Sequence, residues 1–174
     1  MKTIVLLLST LIISQPTNAA RTCEAYITDE WPDSRYTVED ISGDNIVTDN
    51  KTGLMWKQCT QGLTGPTCSA GTLTVHTWKE ALDLASTENA TGFAGFTDWR
   101  VPNIEELRSI AAINCSNPAI NETVFPNTPS HGFWSSSPIA GYPNDAWGIY
   151  FGYGYVYYGY RGNGYRVRLV RSGQ

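Results

Sequence analysis

The chain is 174 residues long, 41% of it hydrophobic, with a formal net charge of −4 at neutral pH. That length is enough for one domain with its own core. The acidic balance argues against nucleic acid as a partner, because nucleic-acid-binding domains are usually basic.

The first twenty residues have the pattern of a secretory signal peptide. A lysine at position 2 precedes an apolar run over residues 4–13, and small residues occupy positions 17–20, as they do at a cleavage site. The run is too short to anchor the chain in a bilayer, and we expect no membrane span elsewhere. The sequence therefore predicts cleavage after Ala19 or Ala20 and export to the periplasm, the cell surface or the medium.

Four cysteines in an exported chain predict two disulfides. Of the three possible pairings we favour Cys59–Cys68, which closes a short loop rich in glycine, threonine and proline. Cys23–Cys115 then remains as the second bond. A zinc site is the competing interpretation, but there is no CxxC pair and the two histidines are isolated. We expect no metal and no other cofactor.

The mature chain begins with a polar segment, residues 21–44, that has no clear period and no predicted element. Strand patterns at residues 45–48 and 54–57 then flank a turn segment that ends in Gly53. A glycine can take the left-handed conformation that closes such a loop. The pattern predicts a β-hairpin.

Two helices are predicted in the middle of the chain. The spacing of Thr77 and Glu80 is that of a capping box, which predicts a helix over residues 78–89. A second cap-like start at Asn103 predicts a helix over residues 104–113. Two glutamates in its first turn interact favourably with the positive end of the helix dipole. Adjacent helical side chains diverge, so we do not interpret this pair as catalytic.

The segments with helix or strand patterns, which we call the framework, contain most of the expected core. Residues 133–138 form a short predicted strand, and no Gly-x-Ser-x-Gly pattern makes their serines a nucleophile. We expect most of the framework tryptophans to be buried together with several aliphatic and aromatic residues: Trp56, Trp78, Trp99, Trp134 and Trp147, with Leu82, Leu107, Ile110, Phe151, Val167 and Leu169.

The stretch from residue 146 to residue 174 has an unusual composition. It contains seven of the ten tyrosines, seven of the sixteen glycines, four arginines and no acidic residue. Buried strands rarely look like this, because each phenol hydroxyl needs a partner inside the protein. Tyrosine with glycine and asparagine is typical of recognition loops. The pattern predicts a strand at 149–151, a turn at 152–154 and a return strand at 155–158.

A glycine-rich loop over residues 159–164 and a last strand over residues 166–171 complete the prediction. In that strand Val167 and Leu169 point one way and the two neighbouring arginines the other. The remaining polar and aromatic positions are the candidate ligand-binding residues, mostly exposed and forming one surface: Tyr150, Tyr153, Tyr155, Tyr157, Tyr158, Tyr160, Asn163 and Tyr165.

Strand geometry limits that expectation. Side chains alternate along a strand, so at least one of Tyr155, Tyr157 and Tyr158 must pack inward or lie at the margin of the surface. The alternative is a tyrosine-rich sheet surface with no ligand. Large exposed aromatic patches usually mark binding surfaces, which favours the first interpretation.

Several of these segments together resemble the Lcl carboxy-terminal domain family over about residues 45–171. The matching pieces are residues 47–57, 78–82, 98–107, 133–137, 146–147 and 167–171. The family resembles C-type lectin-like folds. The resemblance therefore implies an α+β fold with one C-type lectin-like domain, two helices, short antiparallel strands and a loop-rich C-terminal binding face. Residues 21–44 would be its N-terminal segment.

Residues 142–166 resemble, more narrowly, the variable region of diversity-generating retroelement target proteins. In such proteins substitutions at adenines in template codons convert asparagine codons to tyrosine, glycine, serine or aspartate codons. Classical lectins also bind sugar through calcium with Glu-Pro-Asn or Gln-Pro-Asp. Here Val101-Pro102-Asn103 lacks the acid and opens a helix, so we do not expect calcium-dependent sugar binding.

These observations favour a secreted or surface-exposed protein that binds a protein or glycan on another cell, phage or host surface, without catalysis. Two alternatives stay open. One is an enzyme, because formylglycine-generating enzymes share the lectin-like fold, although they need reactive cysteines or metal ligands in a cleft. The other is an adhesin or structural surface subunit, which self-association in solution would support.

Overall fold

Two helices and a series of short antiparallel strands make up residues 21–173, the part of the chain that the computed structural model describes. The α+β prediction is confirmed. The signal-peptide prediction concerns residues 1–20 and lies outside the described residues. The elements in chain order are β1 (Thr22–Cys23), β2 (Tyr36–Ile41), β3 (Asp44–Asp49), β4 (Leu54–Lys57), β5 (Leu63–Thr64), β6 (Ala70–Gly71), α1 (Trp78–Thr91), α2 (Ile104–Ser109), β7 (Cys115–Ser116), β8 (Gly132–Pro138), β9 (Asp145–Tyr150), β10 (Tyr155–Tyr160) and β11 (Val170–Ser172).

A four-stranded sheet has the order β11-β4-β3-β2. It contains the predicted hairpin, β3 and β4, and Gly53 takes the left-handed conformation with φ 71°. The sequence did not predict β2, whose residues 37–40 are all exposed. Tyr36 is the one buried side chain of this edge strand, and a single buried position gives no alternating pattern from which a strand could be recognised.

The second sheet has the order β10-β9-β8. On the free side of β8, Arg166 bridges Phe133 in parallel, and the backbone N–H of Trp134 donates to the oxygen of Arg166 over 2.9 Å. Four residues later Val170 pairs with Trp56 in the four-stranded sheet. The predicted last strand is therefore divided, because residues 165–172 pass from one sheet to the other.

Both predicted disulfides, Cys59–Cys68 and Cys23–Cys115, are confirmed. The second joins opposite residues of the two-residue pair β1–β7. This bond attaches the N-terminal segment to the middle of the domain.

The predicted helix starts are confirmed, with capping boxes at Thr77 and at Asn103. The predicted end of α2 at residue 113 is wrong, because the helix stops at Ser109. Residues 110–112 are all fully buried. Three consecutive buried residues cover most of the circumference of a helix, and here the chain turns instead, with the N–H of Ala112 donating to the oxygen of Ala119 over 3.0 Å.

The core consists of two clusters of buried side chains. One includes Trp56, Leu107, Ile110, Phe133, Ile149, Phe151 and Val170. The other includes Ile46, Trp99, Trp134, Ala146, Val167 and Leu169, against which α1 packs through Trp78 and Leu82.

Three of the five framework tryptophans are fully buried, as expected, whereas Trp78 and Trp147 are only half-buried. The expectation for Leu82 is corrected in the same way, since it lies on the half-exposed side of α1. Among residues 21–173, no helix is long and apolar enough to cross a membrane.

Candidate ligand-binding face

The candidate residues lie on and around β10, which has β9 on one side and no strand on the other within the described residues. Opposite residues of an antiparallel pair point to the same face of a sheet. Tyr155 is opposite Tyr150, and Tyr157 is opposite Gly148. These residues define the front face.

Tyr158 and Tyr160 are opposite Trp147 and Asp145 and point to the back face. The candidate tyrosines of β10 are thus divided between two faces of one sheet. They do not form the single surface that we expected from the sequence, although both faces meet at the free edge of β10.

On the front face, Tyr150, Tyr153 and Tyr155 form an array that we call the front tyrosine row. The ring centroid of Tyr150 lies 6.1 Å from that of Tyr153 and 5.4 Å from that of Tyr155. Tyr153 is 61% exposed and Tyr155 51% exposed. The Tyr150 ring lies over Gly152, where any Cβ would be 2.2 Å from it. The row therefore has rings held against one another and outer edges open to solvent.

Tyr157 has a different environment. Its ring crosses the neighbouring strands over Gly148 and Gly132, where added Cβ atoms would lie 3.0 Å and 2.2 Å from its ring or hydroxyl atoms. It meets Tyr165 edge-to-face with the centroids 5.4 Å apart. Burial raises the pKa of its phenol, and the hydroxyl has no hydrogen-bond partner among the described residues. We conclude that Tyr157 packs the sheet rather than presenting itself to a ligand.

Substitutions at Tyr157 should distinguish packing from recognition. Tyr157→Ala is expected to lower the free energy of unfolding by roughly 2–3 kcal/mol, below the range for fully buried rings because part of the side chain is exposed. Tyr157→Phe removes only an unpaired hydroxyl and should change stability by less than about 0.5 kcal/mol. Urea unfolding of both variants measures this, and equal effects of the two would contradict the packing role.

Tyr165 and Asn163 lie next to Tyr157. The Tyr165 ring packs on Trp134 with centroids 4.5 Å apart, and the partly buried side chain lies against the second core cluster. Asn163 is exposed, and its Nδ2 donates to the Tyr165 hydroxyl over 3.3 Å. Of these two, Asn163 alone offers most of its side chain to solvent.

On the back face, Tyr158 is 64% and Tyr160 58% exposed. We call them the back tyrosine pair. The Tyr158 ring meets that of Trp147 edge-to-face, 6.1 Å between centroids. The half-exposed Trp147 was assigned to the core from the sequence. It lies two residues before the fully buried Ile149, on the same face of β9, so strand alternation gave no sign of its exposure.

Two further features bear on chemistry. Every cysteine of the chain is in a disulfide. In residues 21–173, no three His, Cys, Asp or Glu side chains are grouped so as to hold a metal ion. Beside Tyr157 a cleft of about 660 Å³ is lined by residues from distant segments, among them Arg21, Glu122, His131 and Arg166. Because its lining residues are far apart in the chain, no local sequence motif could have predicted this cleft.

Comparison with family models matches residues 45–171 to the Lcl C-terminal domain. The matched residues include both helices, β8 to β10 and the start of β11. The search of curated proteins found no match.

Proposed function

Because this chain belongs to the Lcl C-terminal domain family, we propose that it is a non-catalytic protein that binds a protein or glycan on another cell, phage or host surface. The front tyrosine row is the proposed contact surface. A role in ligand binding is consistent with the family.

The proposal rests on the exposure of the Tyr153 and Tyr155 rings in a protein whose two core clusters are already filled by other side chains. Fully buried phenylalanine and tryptophan side chains, such as Phe151 and Trp134, occupy the interior, whereas Tyr153 and Tyr155 remain more than half exposed. Tyrosine provides a large amphipathic contact area with few torsions to restrict. Because the rings contact one another, part of the ordering cost of binding is already met in the free protein.

Export is part of the proposal and is supported by the two disulfides, which persist in oxidising compartments. Absence of catalysis is supported by the cysteines. An enzyme of the formylglycine-generating kind needs a reactive thiol or metal ligands, and all four thiols are bonded here.

Diversification by a retroelement is a further part of the proposal. The exposed positions of the front row and the back pair could accept other side chains without loss of packing, whereas Tyr157 and Tyr165 could not. The surrounding DNA provides the test: a nearby reverse transcriptase and an imperfect repeat of the coding segment are expected. A repeat in which codons 157 and 165 vary as freely as codons 153 and 155 would contradict this part.

The binding proposal is tested by removing the front tyrosine row. The full chain is applied to a glycan array and to a panel of fixed cells, and the strongest binder is titrated. The double variant Tyr153→Ser/Tyr155→Ser should lose about 30-fold to 1,000-fold in affinity, because two anchor tyrosines each contribute at least about 1–2 kcal/mol. Its melting temperature should stay close to that of the parent protein.

The matched control is the back-pair variant Tyr158→Ser/Tyr160→Ser, which removes similarly exposed rings from the same hairpin. It should bind within about threefold of the parent protein, since rings outside the contact contribute little. A front variant that keeps full affinity, or a back variant that alone loses it, would contradict the assignment to the front row.

A further inference from the structure

The cleft beside Tyr157 is a second candidate site, distinct from the front tyrosine row. Its volume of about 660 Å³ lies within the range of small-molecule sites. Amide, hydroxyl and guanidinium groups provide much of its lining, from Arg21, Asn117, Asn127, Ser130 and Arg166. Polar side chains of this kind can meet the hydroxyl groups of a small polar ligand.

Arg166 is fixed at the wall of this cleft through its backbone. Its N–H donates to the oxygen of Gly132 over 3.0 Å, and its oxygen accepts from the N–H of Trp134 over 2.9 Å. Within residues 21–173, its side chain has no hydrogen bond of this kind. Nε of Arg166 is buried without a hydrogen bond, and no carboxylate lies within ion-pair distance in the described part of the chain.

Other arginines of this protein that are withdrawn from water have partners. Arg35 and Arg171 lie 2.6 Å and 2.7 Å from the carboxylates of Asp49 and Asp98. Burial lowers the pKa of Arg166. An unpaired, partly desolvated guanidinium at the wall of an open cleft is the arrangement that an incoming anion would complete.

The charges around the cleft favour an anion. Arg21 and Arg166 are positive, and Glu122 is the acidic residue of the lining. Burial raises the pKa of Glu122, and the charge of Arg21 opposes that shift. Burial and the charge of Arg166 lower the pKa of His131, which favours the neutral form of its ring. The cleft is therefore locally positive in a protein of net charge −4.

We propose that this cleft binds a small hydroxy acid, with the carboxylate paired to Arg166 and the hydroxyl groups met by the amide and hydroxyl side chains of the lining. A guanidinium matches a carboxylate with two parallel hydrogen bonds. The proposal does not depend on the function of the front tyrosine row, because none of those three residues lines the cleft.

Gluconate and sorbitol provide a matched pair of probes. They differ in one terminal group, a carboxylate in gluconate and a hydroxymethyl in sorbitol. The full chain is titrated with each at constant ionic strength, and binding is followed by calorimetry. Gluconate should bind at least about tenfold more tightly than sorbitol, as expected when a hydrogen bond to a charged group is gained. Equal binding of the two, or binding of neither, overturns the proposal.

Arg166→Gln should reduce gluconate affinity to that of sorbitol and leave sorbitol affinity unchanged. The control is Arg108→Gln, which changes the net charge equally at an exposed position outside the cleft and should have no effect. Equal losses in the two variants would mean that net charge, and not the site, attracts gluconate, which overturns the proposal.

Glu122→Gln decides the question if Arg166→Gln does not fold. Removing the acid should tighten gluconate binding by about threefold, since it removes a like charge near the ligand, without changing sorbitol binding. Unchanged gluconate affinity overturns the proposal. The front-row variant Tyr153→Ser/Tyr155→Ser should bind gluconate as the parent protein does, so failure of either site can be distinguished from failure of the other.

Discussion

Replacing Arg168 with alanine is expected to lower the free energy of unfolding by roughly 3–5 kcal/mol, since several hydrogen bonds to a charged group are lost together. The side chain is fully buried, and no carboxylate pairs with it within residues 21–173. Burial lowers its pKa to about 9, which still leaves the guanidinium charged at neutral pH. Oxygen acceptors and one aromatic ring stabilise that charge.

The partners of Arg168 come from two segments far away in the sequence. Nη1 donates to the backbone oxygens of Lys57, at 3.0 Å, and of Gln58. Nη2 donates to the hydroxyl of Thr128 over 2.7 Å, and the guanidinium carbon lies 4.8 Å from the centroid of the Phe125 ring. Alanine would leave a cavity and several buried acceptors without a donor.

Urea unfolding of Arg168→Ala measures the effect. Arg168→Met retains most of the apolar volume but no donor, so it should remain destabilised if hydrogen bonding is the main contribution. Arg108→Ala, at an exposed position of α2, should change stability by less than about 0.5 kcal/mol. A loss below about 1 kcal/mol in Arg168→Ala would refute the structural role of this arginine.

Removal of the Cys23–Cys115 disulfide is the second large effect. The bond joins residues 92 positions apart, and Cys59–Cys68 joins residues 9 positions apart. In the chain-entropy account a cross-link stabilises more as the loop lengthens. The double variant Cys23→Ala/Cys115→Ala should therefore lose about 4.5 kcal/mol, and Cys59→Ala/Cys68→Ala about 2.5 kcal/mol.

The two double variants act as controls for each other, because each removes two cysteines. Comparison of their midpoints in guanidinium chloride, under oxidising conditions, measures the difference. A smaller loss for the long loop would show that residual structure in the unfolded chain, rather than loop length, determines the contribution of each bond.

The sequence predicted those parts of the fold that depend on neighbours in the chain. A capping box occupies four consecutive residues, so the starts of α1 and α2 at Trp78 and Ile104 could be recognised locally. The hairpin of β3 and β4 depends on one local turn and could be predicted from the sequence in the same way. The end of α2 was not, because it depends on the burial of residues 110–112 by distant segments.

The arrangement of the candidate site could be predicted only in part. The sequence predicted a turn over residues 152–154, but β9 ends at Tyr150 and β10 begins at Tyr155. Register across a hairpin follows from the turn, and a shift of one residue moves each side chain to the opposite face. Alternation alone required that Tyr155 and Tyr157 point away from Tyr158. Which of these two sets shares a face with Tyr150 depends on the register, and this was beyond the sequence pattern. The burial of Arg168 could not be predicted either. Strand alternation indicates the face to which a side chain points, but not whether other segments cover that face.

The path of residues 165–172 also has a consequence for the order of events during synthesis. This segment pairs with β8 through Arg166 and with β4 through Val170, and it supplies Val167 and Leu169 to one core cluster. A nascent chain that has been translated only as far as residue 164 lacks the segment that pairs with both sheets. It also lacks Arg168, whose side chain joins residues 57–58 to Thr128. The domain can therefore reach its native state only after translation of these residues, and an earlier ribosomal pause would leave apolar surface exposed to chaperones.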